Sequence, residues 1–113
     1  WEIIYEKWPD CFSEKNQEID YDFEVKEYYY KYEYYIQKTL GTKALNYLIG
    51  SIVNENDNKL NQQSLEVFKQ YLKKSNLLNS DWKVGTTFSG YSSESAFAKV
   101  SKMIKSEIPI PRN

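Results

Sequence analysis

Apolar positions recur at helical spacing along most of the chain. Trp1, Ile4, Tyr5 and Trp8 fall at i, i+3, i+4 and i+7, which is one helical face, and Pro9 ends it. Ala44, Leu45, Leu48, Ile49, Ile52 and Val53 form a broad apolar face, with Thr42 placed to cap it, and predict the central core helix. A third helix is expected from about Gln62 to Ser75. Leu65, Phe68, Tyr71 and Leu72 lie on one face of it, and Lys69, Lys73 and Lys74 lie mostly on the other. A fourth is expected over about residues 93–106, capped by Ser92 or Ser93 with Glu94 at its positive end. The stretches "SEKNQEID" (13–20) and "NENDNKLN" (54–61) read as loops by composition, and "IPIPR" as extended chain.

Residues 19–40 carry two competing periods. Ile19, Tyr21, Phe23 and Val25 alternate with charged residues, a strand signal. Val25, Tyr29, Tyr32, Ile36 and Leu40 also make a helical stripe, and Gly41 with Lys38 resembles a helix end. The reading is a short strand at 19–25 followed by a helix at about 26–40, with a β-hairpin as the alternative. Residues 76–90 carry Gly85, Gly90 and the β-prone Trp82, Val84 and Phe88, and read as a loop or a small hairpin.

These elements predict a mainly α fold. It is a small four- to five-helix domain with room for a short strand or wing, of helix-turn-helix or winged-helix type. The 113 residues suit a single domain, and an opening on Trp1 rather than Met predicts a segment of a larger protein. No apolar run approaches the roughly 20 residues of a membrane span, so no membrane partner is expected. The lone Cys11 forbids an intrachain disulfide and points to an intracellular setting.

The count of histidines is zero. That excludes Ser-His and Cys-His nucleophile pairs and imidazole acid–base chemistry. With a single Cys it also excludes Cys/His zinc sites. Asp20, Asp22 and Glu24 have an Asp-x-Asp spacing but lack the glycine and distal Glu of a calcium loop. No metal, no cofactor and no enzyme activity is expected.

The net charge of −1 conceals a split. Residues 1–58 hold six lysines against twelve acids, and residues 59–113 hold nine basic residues against four acids. The expected anion-seeking side is therefore the C-terminal half. On its last helix Ala96, Phe97, Val100, Met103 and Ile104 face one way, and Ser95, Lys99, Lys102 and Lys105 the other. Lysines on such a face neutralise phosphates, and short polar residues at a helix start can touch base edges. Lys99, Lys102, Lys105, Ser92 and Ser95, with Lys73 and Lys74 of the preceding helix, are the candidate contacts to DNA or RNA. The segment "SGYSSESAFAKVSKMIK" (89–105) resembles the start of the recognition helix in the second helix-turn-helix of AraC-type bacterial regulators, which implies a DNA-reading helix there. The resemblance covers seventeen of the 113 residues. "DWKVGTTF" stands where that family has a small-apolar and Ala pattern, and its Gly-x-x-Pro after the helix is missing.

The other candidate surface is "EYYYKYEYYIQ" (27–37), with six tyrosines between Tyr28 and Tyr35. Some rings belong to the core, and the rest suit a protein contact, because Tyr concentrates binding energy. The surrounding acids disfavour phosphate at that place. Tyr28, Tyr30, Tyr34 and Tyr35 are the candidate protein-contact residues. The sequence thus predicts a non-catalytic binding module within a larger complex: a nucleic-acid-binding domain first, and a protein–protein interaction domain as the alternative.

Overall fold

The computed structural model describes residues 1–12, 19–20, 25–26 and 31–111. Among these the chain is mainly helical. Four α-helices run over Glu2–Lys7 (α1), Thr39–Glu55 (α2), Gln62–Lys74 (α3) and Glu94–Ile104 (α4). Two-residue strands Ile19–Asp20 (β1) and Val25–Lys26 (β2) pair antiparallel, Ile19 opposite Lys26 and Asp20 opposite Val25. Of the strand expected over 19–25, residues 19, 20 and 25 lie in these two strands, 21–24 lie outside the described residues, and Lys26 of β2 belongs to the expected helix.

Helix ends follow local chemistry. Asn61 and Ser64 form a reciprocal cap at the start of α3: the Ser64 N–H donates to Asn61 Oδ1 at 3.1 Å, and the Asn61 N–H donates to Ser64 Oγ at 2.8 Å. Ser93 caps α4, its hydroxyl accepting from the Ala96 N–H at 3.2 Å. Pro9 opens a 3-10 turn, Pro9–Cys11, directly after α1.

The core lies where α4 and α3 pack on α2 and where α1 packs on α3. Leu40, Ala44, Leu45, Leu48 and Ile52 of α2 meet Phe97, Val100, Met103 and Ile104 of α4 and Phe68 and Leu72 of α3 in one buried cluster. Each such aliphatic side chain contributes about 1.5–3 kcal/mol by leaving water. An aromatic chain continues that core: Trp8 and Trp82 meet edge-on at 5.2 Å and Trp82 and Phe88 edge-on at 5.4 Å, while Phe88 and Tyr91 are tilted at 5.5 Å. The Trp8 indole N–H donates to the Leu77 carbonyl at 2.9 Å and ties the N-terminal segment to the loop after α3.

The helical reading of residues 31–38 is corrected. The helix expected over about 26–40 is not formed across residues 31–38, and α2 begins only at Thr39. Residues 33–35 instead pair with 82–84. Tyr34 bridges Lys83 antiparallel, the Tyr35 N–H donates to the Trp82 carbonyl at 2.7 Å, and the Val84 N–H donates to the Glu33 carbonyl at 2.7 Å. Tyrosine fits a pleated surface well, and here the partner lies nearly fifty residues away in the chain. Gly41 is consequently not a helix end. It lies buried in the first turn of α2, under the Tyr35 and Ile36 carbonyls, where a Cβ would collide with backbone. Nor does Thr42 cap α2: Lys38 holds that position, and the Thr42 hydroxyl reaches the Gln37 carbonyl at 3.3 Å.

Residues 75–93, which separate α3 from α4, form a loop, one of the two readings of this stretch. They hold a 3-10 turn, Asn79–Trp82, and positive-φ glycines at Gly85 and Gly90, but no hairpin of their own. Asp81 organises this loop from a buried position, accepting from the Leu78 N–H at 2.8 Å and the Thr87 hydroxyl at 2.6 Å. A helix-turn-helix joins its two helices by three or four residues. The segment preceding α4 here is much longer.

Candidate nucleic-acid interface

The segregation expected on α4 is realised for Lys99 and Lys102. Phe97, Val100, Ser101, Met103 and Ile104 are buried, and Lys99 and Lys102 are exposed on the outer side, one turn apart. Neither lysine makes an ion pair among the described residues. Ser92 and Ser95 are exposed at the start of the helix, with the Ser95 hydroxyl 3.1 Å from that of Ser93.

Lys105 behaves differently. Its side chain is only 8% exposed, and its ammonium lies 3.2 Å from Glu55, 3.2 Å from the Ser51 hydroxyl and 3.5 Å from Glu107. It also sits 5.3 Å from the Tyr71 ring centre. Burial alone would push this ammonium down, but the Glu55 hydrogen bond and charge outweigh it, with Tyr71 and Glu107, and raise it. Lys105 therefore joins α2, α3 and the C-terminal end of α4, and it is turned away from the Lys99–Lys102 face.

The α4 N-terminus already holds a carboxylate. The Tyr47 hydroxyl donates to Glu94 Oε2 at 2.7 Å, and Lys43 lies 3.4 Å from Glu94 Oε1. The Tyr47 hydrogen bond, with help from Lys43, holds the Glu94 carboxyl below its ordinary value, and the same bond raises the Tyr47 hydroxyl. A phosphate approaching this helix end meets that carboxylate.

The acids of the C-terminal half are engaged away from the exposed lysines. Asp81 is buried in its loop, Glu94 is held by Tyr47 and Lys43, Glu107 lies against Lys105, and Glu66 accepts from the Gln62 amide at 3.3 Å. Lys73 and Lys74 are exposed in the last turn of α3, where cations suit the helix dipole. Lys73 borders a groove against α1 together with Lys7 and Lys69, and Lys74 borders a separate hollow along the outer face of α3. Sequence reasoning did not single out Lys7 or the Tyr47–Glu94–Lys43 cluster. No local pattern signals either, because each joins residues remote in the chain.

Of the tyrosine candidates, Tyr28 and Tyr30 lie outside the described residues. Tyr34 and Tyr35 are half-buried and packed against the core. The Tyr34 hydroxyl is raised by burial, with Cys11, Asp10 and Glu33 adding to it. Among the described tyrosines of this stretch Tyr32 is the outward one, 80% exposed, with the Lys38 ammonium 4.1 Å above its ring centre. Cys11 is fully buried, and its thiol is pushed up to about 12, by burial first and by Asp10 second.

Among the described residues no three His, Cys, Asp or Glu side chains gather closely enough to hold a metal ion. No helix there is long and apolar enough to cross a membrane. Comparison with protein-family models, with curated proteins and with solved structures finds no match to this chain.

Proposed function

We propose that this chain is a non-catalytic helical module that binds nucleic acid through the outer face of α4. Lys99 and Lys102 contact backbone phosphates, while Ser92 and Ser95 stand at the end of the helix nearest the bases. One observation carries the reading. These two lysines are exposed and without ion pairs among the described residues; of the acids of the same half, Glu94 at the start of α4 is bound by Tyr47 and Lys43, Glu107 lies against Lys105, and Glu66 accepts from Gln62. An α-helix of this kind fits the major groove, and neutralising phosphates releases condensed counterions. The long segment before α4 favours a docking mode other than a tight helix-turn-helix. Lys105 is not part of it, because its ammonium is engaged inside the fold.

The test is binding to duplex and single-stranded oligonucleotides across a salt titration. Affinity falls steeply with salt, and Lys99→Ala with Lys102→Ala lowers the log–log slope by about one for each phosphate no longer neutralised. Binding that ignores both substitutions refutes the reading. A protein-contact role for the tyrosine segment is the second reading, favoured by the exposure of Tyr32. It requires Tyr32→Ala to abolish capture of a partner while the fold stays intact.

A further inference from the structure

A second concentration of positive charge lies on a different part of the molecule. Between α1 and α3 an open groove of about 380 Å³ is lined by Ile3, Glu6, Lys7, Lys69, Leu72 and Lys73. Three ammonium groups thus border one concavity, against one carboxylate. None of the three makes an ion pair among the described residues, Glu6 included.

The groove departs from an ordinary solvated lysine face in two ways. Lys7 is half-buried, and its ammonium is held in place by the Ser75 carbonyl at 2.8 Å, which leaves its other two protons for a further acceptor. Burial pushes this ammonium down from its ordinary value, the mark of a cation that lacks a compensating anion. Lys69 and Lys73 stand one helical turn apart on α3, so their charges repel each other. Glu66, three residues before Lys69, accepts from Gln62 instead. Ile3 and the buried Leu72 supply apolar walls beside these charges, which strengthens any ion contact made there.

We propose that the α1–α3 groove is an anion site for a phosphate group, with Lys7 as the fixed donor and Lys69 and Lys73 as the closing pair. Such a group either belongs to a free phosphate compound or to the backbone of a bound nucleic acid. The proposal stands on α1 and α3 and does not depend on the α4 reading.

Isothermal titration calorimetry with inorganic pyrophosphate, at fixed ionic strength, tests it. Saturable one-to-one binding is expected. Lys69→Gln with Lys73→Gln should weaken it by about tenfold or more, because two charge-assisted hydrogen bonds are removed. Lys99→Gln with Lys102→Gln should leave it unchanged. Both pairs are exposed, and circular dichroism is the check that the variants fold. No saturable binding to the unaltered chain, or equal affinity in the Lys69/Lys73 variant, overturns the site. The same variants in an oligonucleotide salt titration name the source of the phosphate. A reduced slope in the Lys69/Lys73 variant supports the site as a backbone contact, and an unchanged slope beside weakened pyrophosphate binding supports it as a site for a free phosphate compound. Failure of the α4 reading is separate: there the Lys99/Lys102 variant keeps its full slope.

Discussion

Two glycines on one helix should respond to the same substitution with opposite signs. In an ordinary helix interior Gly→Ala stabilises by about 1 kcal/mol, because Ala has less backbone freedom to lose. Gly50 is exposed on α2 with nothing within 4 Å of where a Cβ would stand, so Gly50→Ala should gain about 0.5–1 kcal/mol. At Gly41 the added methyl meets the Tyr35 and Ile36 carbonyl oxygens and the Ile36 carbonyl carbon. Backbone cannot swing aside as a side chain does. Relief requires the 35–36 segment to lift off α2. That lift disturbs the Gly41 N–H bond to Tyr35 at 3.2 Å and the neighbouring Tyr35 N–H bond to Trp82 at 2.7 Å. It also loosens Ile36, which is fully buried.

Overpacking costs about 1–3 kcal/mol and each disturbed hydrogen bond about 1 kcal/mol. After the helix-propensity gain is subtracted, Gly41→Ala should lose about 2–4 kcal/mol, a large share of the 5–15 kcal/mol typical of a domain. Urea unfolding followed by tryptophan fluorescence and by circular dichroism measures both variants against the parent. The urea midpoints should move in opposite directions, and in a thermal scan Tm should fall by roughly 10–20 °C for Gly41→Ala. If Gly41→Ala is as stable as Gly50→Ala, the close approach of residues 35–36 to α2 is wrong, and with it the pairing of 33–35 with 82–84.

Further outcomes follow from single positions. Ser106 ends α4 with φ at +62°, where its N–H bonds Met103 and the Glu107 N–H bonds Lys102, so Ser106→Gly should stabilise by about 0.5–1 kcal/mol in the same urea assay. Cys11 should resist iodoacetamide in the native protein at neutral pH and react once urea exposes it, because burial keeps the thiol protonated. Tyr47→Phe should return the Glu94 carboxyl upward toward its ordinary value in an NMR pH titration. Since the folded value is depressed, the Glu94 contribution is present above the ordinary carboxylate range and fades as pH falls through the folded value. Asn61→Ala should remove the reciprocal cap of α3 and cost about 1 kcal/mol.

Some of this was legible in the residues alone, because it depends on neighbours in the chain. The apolar repeats of α2, α3 and α4, the cap at Ser93 and the stop at Pro9 are local chemistry, and α3 and α4 formed within about two residues of their expected ends. The outward placement of Lys99 and Lys102 also follows from helical period once Phe97, Val100 and Ile104 are taken as the buried side. What local pattern could not supply was the competition between residues far apart. The tyrosine stretch has a helical stripe and a strand alternation at once, and the choice over 33–35 was made by the 82–84 backbone, which offers hydrogen bonds a local helix would have kept to itself. Lys105 follows the same period as Lys99 and Lys102, yet Glu55 and Ser51 of α2 draw it inward. Lys7, unremarkable in its own segment, acquires meaning only where α3 brings Lys69 and Lys73 beside it. Periodicity determines which side of a helix meets the core. Only tertiary packing decides which charges are left facing water, because a charge stays outside when no fixed partner inside offsets the loss of its hydration.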